Sequence, residues 1–257
     1  MYRAYPRDGI AWVTGASSGI GREVALELGR RGYKVAATAR RAGELQVLAA
    51  ESQNIFAFPG DTTDRAAMAG IVGEIEAAHG PISLAFLNAG AYFVAERDRF
   101  SADLVQRTFE INVGGTVNCL DPILAAMERR GKGQIAINSS LAGYGGIEGS
   151  AAYGSTKAAL IYLAEALKLT YQQAGLTIQV VNPGFVRSAM TAQNDFFEMP
   201  FLMGADRAAR IICDGFARSG FEITFPRRLA YTFKAACLLP YALFFPLMRR
   251  AGRRARR

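Results

Sequence analysis

The chain is poor in the residues that usually carry metal or redox chemistry. Its 257 residues contain one histidine, one tryptophan and three cysteines. Cys119, Cys213 and Cys237 are too few and too scattered for a disulfide framework or a zinc site. They suit a reducing compartment, and no metal site is expected. The lone histidine, His79, precedes Gly80-Pro81 at the end of a helical pattern and is expected at the surface. No segment repeats at a fixed period, which excludes solenoids and propellers. Residues 1–8 have no apolar core of signal-peptide length and lead straight into a strand, so a cytoplasmic location is expected. Acidic residues are missing beyond Pro226, where eight arginines and one lysine stand. These nine cations exceed the formal net charge of +8, so residues 1–225 are close to neutral. A basic domain that coats nucleic acid is therefore excluded, and no nucleic-acid partner is expected.

What is present is a regular alternation. Short apolar runs at Ile10–Val13, Tyr33–Thr38, Asn54–Phe58, Leu84–Leu87, Gln134–Asn138, Ile178–Val181 and Glu222–Phe225 read as strands. Helical spacing fills the intervals at Gly21–Arg31, Leu45–Ala50, Arg65–Ala78, Ala102–Glu128, Tyr153–Ala174 and Ala205–Ala217. Strands that alternate with helices pair in parallel through right-handed crossovers. The expectation is a single α/β domain over 1–225, a doubly wound Rossmann-type parallel sheet with helices on both faces. Ligands then lie at the carboxyl ends of the strands. Residues 226–257 form an apolar and arginine-rich extension.

The turn after the first strand is Thr14-Gly15-Ala16-Ser17-Ser18-Gly19-Ile20-Gly21. Glycines there let a backbone approach a pyrophosphate, and the following helix N-terminus supplies N–H donors. The spacing is neither G-x-G-x-x-G nor a P-loop, since no Lys-Ser/Thr follows. At the end of the second strand, where a carboxylate would select NAD(H), the chain has Arg40 and Arg41. Two guanidiniums suit a 2′-phosphate, so NADP(H) is the preferred cofactor, with NAD(H) also possible.

Tyr153 and Lys157 stand four apart, on one face of a helix. A cation beside a phenol favours the phenolate, which predicts a lowered tyrosine pKa and a group able to give or take a proton. With Thr14–Gly21, Asp61, Asn88-Ala89-Gly90, Asn112, Ser140 and Pro183-Gly184 in this order, residues 8–225 resemble the short-chain dehydrogenases/reductases, in their shorter single-domain branch. The resemblance implies hydride transfer between a nicotinamide and a carbonyl or secondary alcohol. It implies that Tyr153 is the general acid/base, that Ser140 polarises the substrate oxygen, and that Lys157 holds the nicotinamide ribose and lowers the Tyr153 pKa. Asn112 would hold a water linking Lys157 to solvent. Around the cofactor, Gly15, Ser17, Ser18, Gly19, Ile20 and Gly21 would meet the pyrophosphate, Arg40 and Arg41 the adenosine end, and Asp61 and Thr62 the adenine. Asn88, Ala89 and Gly90 would form the floor, with Pro183, Gly184, Val186 and Ser188 by the nicotinamide. Ser188 stands near the place where the family often has threonine. Ser139, the neighbouring hydroxyl, is read as structural because spacing to Tyr153 favours Ser140.

Residues 189–204 are rich in phenylalanine and methionine and would cover the substrate, with Leu141, Tyr144, Phe196 and Phe197 lining the pocket and Tyr92 and Phe93 adding to its wall. Such a lining suits a hydrophobic ketone or alcohol. The resemblance implies a dimer or tetramer, so a homo-oligomer is expected. In the extension, Ala235–Met248 is an apolar run broken by Pro240 and Pro246. It falls short of the ~20 residues of a bilayer span. Beside the arginines it suits an anionic membrane surface, or else packs on the protein or a second subunit. A nicotinamide-binding sensor without turnover, or a membrane-associated scaffold, is the alternative function.

Overall fold

The computed structural model describes residues 2–93, 100–192 and 199–255. Seven strands build one sheet: β1 (Ile10–Thr14), β2 (Val35–Thr38), β3 (Ile55–Ala57), β4 (Ile82–Leu87), β5 (Gly133–Asn138), β6 (Leu176–Pro183) and β7 (Glu222–Phe225). Their order is β3-β2-β1-β4-β5-β6-β7, and every neighbouring pair is parallel. Every residue of β1, β2, β4 and β6 is buried, as strands covered on both faces require. The α/β doubly wound expectation is met.

The helices are α1 (Gly19–Arg30), α2 (Ala42–Ala50), α3 (Arg65–His79), α4 (Ala102–Phe109), α5 (Gly115–Arg130), α6 (Ala151–Tyr171), α7 (Ala189–Ala192), α8 (Ala205–Phe216), α9 (Arg227–Cys237) and α10 (Tyr241–Ala255). One core layer joins α1, α2 and α8 to the sheet through Val24, Leu28, Leu45, Ile212 and Phe216. The other joins α3, α5 and α6 through Met68, Ile75, Ile123, Met127 and Leu160. Chain order reverses between β1 and β4. The carboxyl ends of these strands carry Gly15 and Asn88, so the crevice opens where two predicted motifs meet.

Two expectations change, and the extension gains a secondary structure. The single helix over 102–128 is instead α4, a π-turn at Glu110–Gly114 and then α5. The wider turn carries Asn112 inward, and such bulges are frequent at functional sites. His79 is half-buried, with its ring 4.0 Å from Phe56. Burial first and Lys34 second lower its pKa. The extension is helical: Pro240 separates α9 from α10, and Ala230, Ala236 and Phe244 are buried against the body. Leu238, Tyr241, Leu243, Phe245 and Leu247 remain exposed. No helix among the described residues is long and apolar enough to cross a membrane.

The amino-terminal segment belts the opposite end of the sheet. The Ala4 N–H donates to Gln134 Oε1 (3.0 Å), the Tyr33 hydroxyl to Ala4 O (2.8 Å) and Thr177 Oγ1 to Tyr2 O (2.6 Å). These contacts tie the starts of β5 and β6 to the approach to β2.

Candidate active site

The glycine turn is shaped by two close approaches. Gly15 has φ +66°, a region that disfavours side chains. At Gly21 a Cβ would lie 2.3 Å from Gly15 O and 2.5 Å from Asn88 Nδ2, so only hydrogen fits. Ser18 begins α1 without a side-chain cap. The first-turn N–H groups are left for an anion, which fits a dinucleotide pyrophosphate. Arg41 Nη2 donates to Ser17 Oγ (3.0 Å), so the arginine arrives at the same turn. Arg40 is exposed, with Nη1 3.9 Å from Asp61 Oδ2. Thr62 is buried, and its carbonyl accepts from Asn118 Nδ2 (3.0 Å).

The floor is tied to the turn by Thr14, whose Oγ1 accepts from Asn88 N (2.9 Å) and Ala89 N (3.1 Å). Asn88 Nδ2 donates to Thr14 O (3.1 Å), and Asn138 Nδ2 donates to Asn88 Oδ1 (2.9 Å). Lys157 Nζ donates to Asn138 O (3.0 Å) and Gly90 lies against both Lys157 and Asn112. Asn138 Oδ1 is buried without a donor among the described residues.

Asn112 is fully buried. Its Oδ1 accepts from Ala91 N (2.7 Å), and its Nδ2 donates to Ala91 O (3.0 Å) and Thr156 Oγ1 (3.1 Å). The side chain therefore fixes the loop after β4 against α6. Its main-chain carbonyl accepts from Thr116 Oγ1 (2.7 Å).

Tyr153 has Ser140 as a neighbour and meets Tyr92 edge-on, with ring centroids 5.3 Å apart. Lys157 Nζ lies 5.5 Å from the Tyr153 ring centroid. Ser140 caps the short 3-10 turn Leu141–Gly143, its Oγ accepting from Ala142 N (3.1 Å). Ser139 Oγ is buried and spent on Lys157 O (2.7 Å), in keeping with a structural hydroxyl. The expected depression of Tyr153 is not found. Burial pushes the phenol up to about 12, against the Ser140 hydrogen bond, and burial lowers Lys157 to about 8. Lys157 is buried and Tyr153 half-buried, and the ammonium is directed at a carbonyl rather than at the phenol, so desolvation outweighs their attraction.

Pro183 O lies 3.5 Å from Ser140 Oγ, and Gly184 packs against Leu141. Val186 is buried, and Ser188 bonds with Thr191, whose Oγ1 also donates to Val186 O (2.9 Å). Ser188 also approaches Gly19. Leu141 is buried, and the Tyr144 hydroxyl is committed to Glu222 (2.5 Å) and sits 3.1 Å from Thr224. Those two are packing partners of the loop more than open pocket wall. Phe196 and Phe197 lie outside the described residues. Asn138 and Thr156 are parts of the site that the sequence reading did not single out, and Thr14 was read only as the start of the glycine turn. Their place at strand ends and directly before Lys157 is the only signal they carry.

The pattern of the short chain dehydrogenase family matches residues 9–197. The chain belongs to that family. Among relatives of this short-chain dehydrogenase, an uncharacterized oxidoreductase of Myxococcus xanthus is 36% identical over 244 residues, spanning 93% of this chain and 96% of the relative. A 3-oxoacyl-(acyl-carrier-protein) reductase of Staphylococcus aureus is 30% identical over 190 residues, 70% of this chain and 76% of its own. A short-chain dehydrogenase from Streptomyces avermitilis superposes with a TM-score of 0.79 at 25% identity, covering 95% of this chain and 97% of that one. One from Sphingobium yanoikuyae in complex with NADPH gives 0.78 at 25% identity, over 88% and 91%. The short-chain dehydrogenase described here is thus an oxidoreductase acting on CH–OH or C=O groups with a nicotinamide cofactor.

Proposed function

We propose that this short-chain dehydrogenase is an NADP(H)-dependent carbonyl reductase or secondary-alcohol dehydrogenase for hydrophobic substrates. The observation that carries the reading is that Tyr153, with Ser140 as a neighbour, has the Lys157 ammonium 5.5 Å from its ring centroid. When bound, the dinucleotide supplies or accepts the hydride. Tyr153 donates the proton to the carbonyl oxygen, so hydride plus proton convert C=O to CH–OH. Ser140 donates a hydrogen bond to that oxygen while charge builds on it, and Lys157 stabilises the phenolate left behind. Asn112 holds Ala91, and with it the loop that carries Gly90, in place beside Lys157. NADP(H) is favoured by Arg40 and by Arg41 at Ser17, and the Sphingobium neighbour carries NADPH. The 3-oxoacyl reductase relative, by its name, reduces a carbonyl on an acyl chain. The apolar wall fits a substrate of comparable character: Tyr92 stands edge-on to Tyr153, and Phe201 and Leu202 are exposed just before α8. The full polar set speaks against a silent nicotinamide sensor.

The test is cofactor oxidation over a panel of aldehydes, ketones and alcohols, with NADPH and NADH in parallel. Tyr153→Phe should lower kcat by ~10²–10⁴ while leaving NADPH binding intact. A variant that keeps wild-type turnover refutes the assignment.

We further propose that the enzyme is cytoplasmic and peripheral at an anionic membrane surface. Support comes from exposed Leu238, Tyr241, Leu243, Phe245 and Leu247 beside Arg249 and Arg250, in a segment without a carboxylate. Co-sedimentation with phosphatidylserine vesicles should occur at low salt and decline at high salt. Recovery in the supernatant at low salt ends the idea. Exposed Val117, Tyr162 and Leu169 on α5 and α6 support a dimer or tetramer, which analytical ultracentrifugation checks.

A further inference from the structure

We propose that Glu222 and Lys234 are positioning residues for the loop bearing Ser140, so that α9 is a working part of the active site. This rests on the reading above, in which Ser140 meets the substrate oxygen.

Three side chains converge on the Glu222 carboxylate, and a fourth meets the hydroxyl of one of them. The Tyr144 hydroxyl donates to Glu222 Oε1 at 2.5 Å, Asn182 Nδ2 to the same oxygen at 2.7 Å, and Lys234 Nζ to Oε2, while Thr224 Oγ1 sits 3.1 Å from the Tyr144 oxygen. Each belongs to a different part of the site. Tyr144 ends the single 3-10 turn that Ser140 begins, and Gly143 N to Ser140 O (3.0 Å) and Tyr144 N to Leu141 O (3.1 Å) make that turn one unit. Asn182 precedes Pro183-Gly184 in β6, and Pro183 O is 3.5 Å from Ser140 Oγ. Lys234 comes from α9, and its Nζ also lies 4.9 Å from the Tyr144 ring centroid. Holding Tyr144 to Glu222 therefore sets the angle at which Ser140 is presented over the strand end that leads into Gly184.

The rest of α9 seals the same loop. Cys237 Sγ donates to Tyr144 O (3.4 Å), and Phe233 meets the Tyr144 ring edge at 6.1 Å. At Gly145 a Cβ would lie 2.7 Å from Cys237 Sγ and 3.4 Å from Phe244, so loop and tail are in full contact. Glu222 is half-buried, and its charge is affordable only because these donors surround it. Although burial opposes ionisation, the hydrogen bonds from Lys234, Tyr144 and Asn182 prevail and hold the carboxyl below its ordinary pKa. A carboxylate so placed loses its hold on the loop when its counter-charge goes.

The experiment compares Lys234→Met, Lys234→Arg and Glu222→Gln with the wild-type full chain. It measures deuterium exchange of the peptide spanning 141–149, NADPH affinity by fluorescence, kcat and KM, and thermal midpoint. Lys234→Met and Glu222→Gln should speed exchange in that peptide by about tenfold and lower kcat by about tenfold or more, because small misplacements of a reacting group are costly. NADPH affinity should stay within about twofold, and Lys234→Arg should restore both exchange and kcat. Unchanged exchange at 141–149 overturns the proposal. So does a uniform loss of protection, affinity and midpoint that arginine does not rescue. Should the wild-type chain turn over no carbonyl, the reductase reading fails, and the exchange measurements still decide whether Lys234 holds the loop.

Discussion

Replacing Asn112 by alanine removes three side-chain hydrogen bonds. The Ala91 N–H and C=O each lose their partner (2.7 and 3.0 Å), whereas Thr156 Oγ1 still donates to Tyr153 O at 2.7 Å. Each orphaned backbone group costs ~1–3 kcal/mol, with Ala91 at the low end because it is only half-buried. Together with the space left by the amide, the loss is about 3 kcal/mol, which corresponds to a fall in melting temperature of about 6–12 °C for a domain of this size. Turnover should fall further than stability alone accounts for, by about tenfold or more, because the loop that shifts carries Gly90 beside Lys157. Calorimetry and steady-state kinetics at a temperature where the variant is folded separate the two effects. Asn112→Asp is the informative partner. It keeps the acceptor for Ala91 N but sets a carboxylate against Ala91 O, so it should be as damaging at pH 8 and recover in part at acid pH, where the buried carboxyl takes up its proton. A midpoint within about 2 °C of wild type and unchanged kcat for Asn112→Ala would refute the reasoning, since these bonds would then be dispensable.

Three further outcomes follow from the same geometry. With Lys157 lowered to about 8, its ammonium is present below that pH and lost above it, while Tyr153, raised to about 12, stays protonated throughout. The kcat/KM for NADPH in carbonyl reduction should therefore fall as pH rises through about 8, and a pH profile of Lys157→Met should lack that limb. Arg40→Ala and Arg41→Ala should each raise KM for NADPH by ~10–100-fold, the worth of a charge-assisted hydrogen bond, with KM for NADH within about twofold; equal effects on both cofactors would count against a phosphate contact. Gly21→Ala places a carbon 2.3 Å from Gly15 O, so fluorescence titration should show NADPH binding weakened at least tenfold by about 1.4 kcal/mol or more, and wild-type affinity would show that the turn is not the pyrophosphate seat.

The fold was legible because each buried strand is a near-continuous apolar run and each crossover has helical spacing. The turn at Thr14–Gly21 and the Tyr153–Lys157 pair could be read because each is a local pattern, glycines directly after a strand and an i, i+4 pair on one helix face. The π-turn around Asn112 was not, since one extra residue in a helix leaves the 3.6 period almost unchanged over a short window. Nor was the balance at Tyr153: the spacing gives the cation, but only coordinates give the burial that outweighs it. Tyr144 read as pocket lining because it is aromatic and close in sequence to Ser140. Its partner Glu222 lies far along the chain, and nothing local announces that the hydroxyl is spent there. His79 read as solvent-facing from its position at a helix end, yet Phe56 covers its ring from a neighbouring strand.

The belt formed by residues 2–8 has a practical meaning for anyone attaching this enzyme to a surface. Its bonds to Gln134 and Thr177 sit where β5 and β6 begin, a strand's length, roughly 20 Å, from the end where chemistry is placed. Tethering through the amino terminus should leave the mouth of the crevice facing free solution. A linker joined at the other terminus would crowd α10, and with it the helices that brace the substrate side.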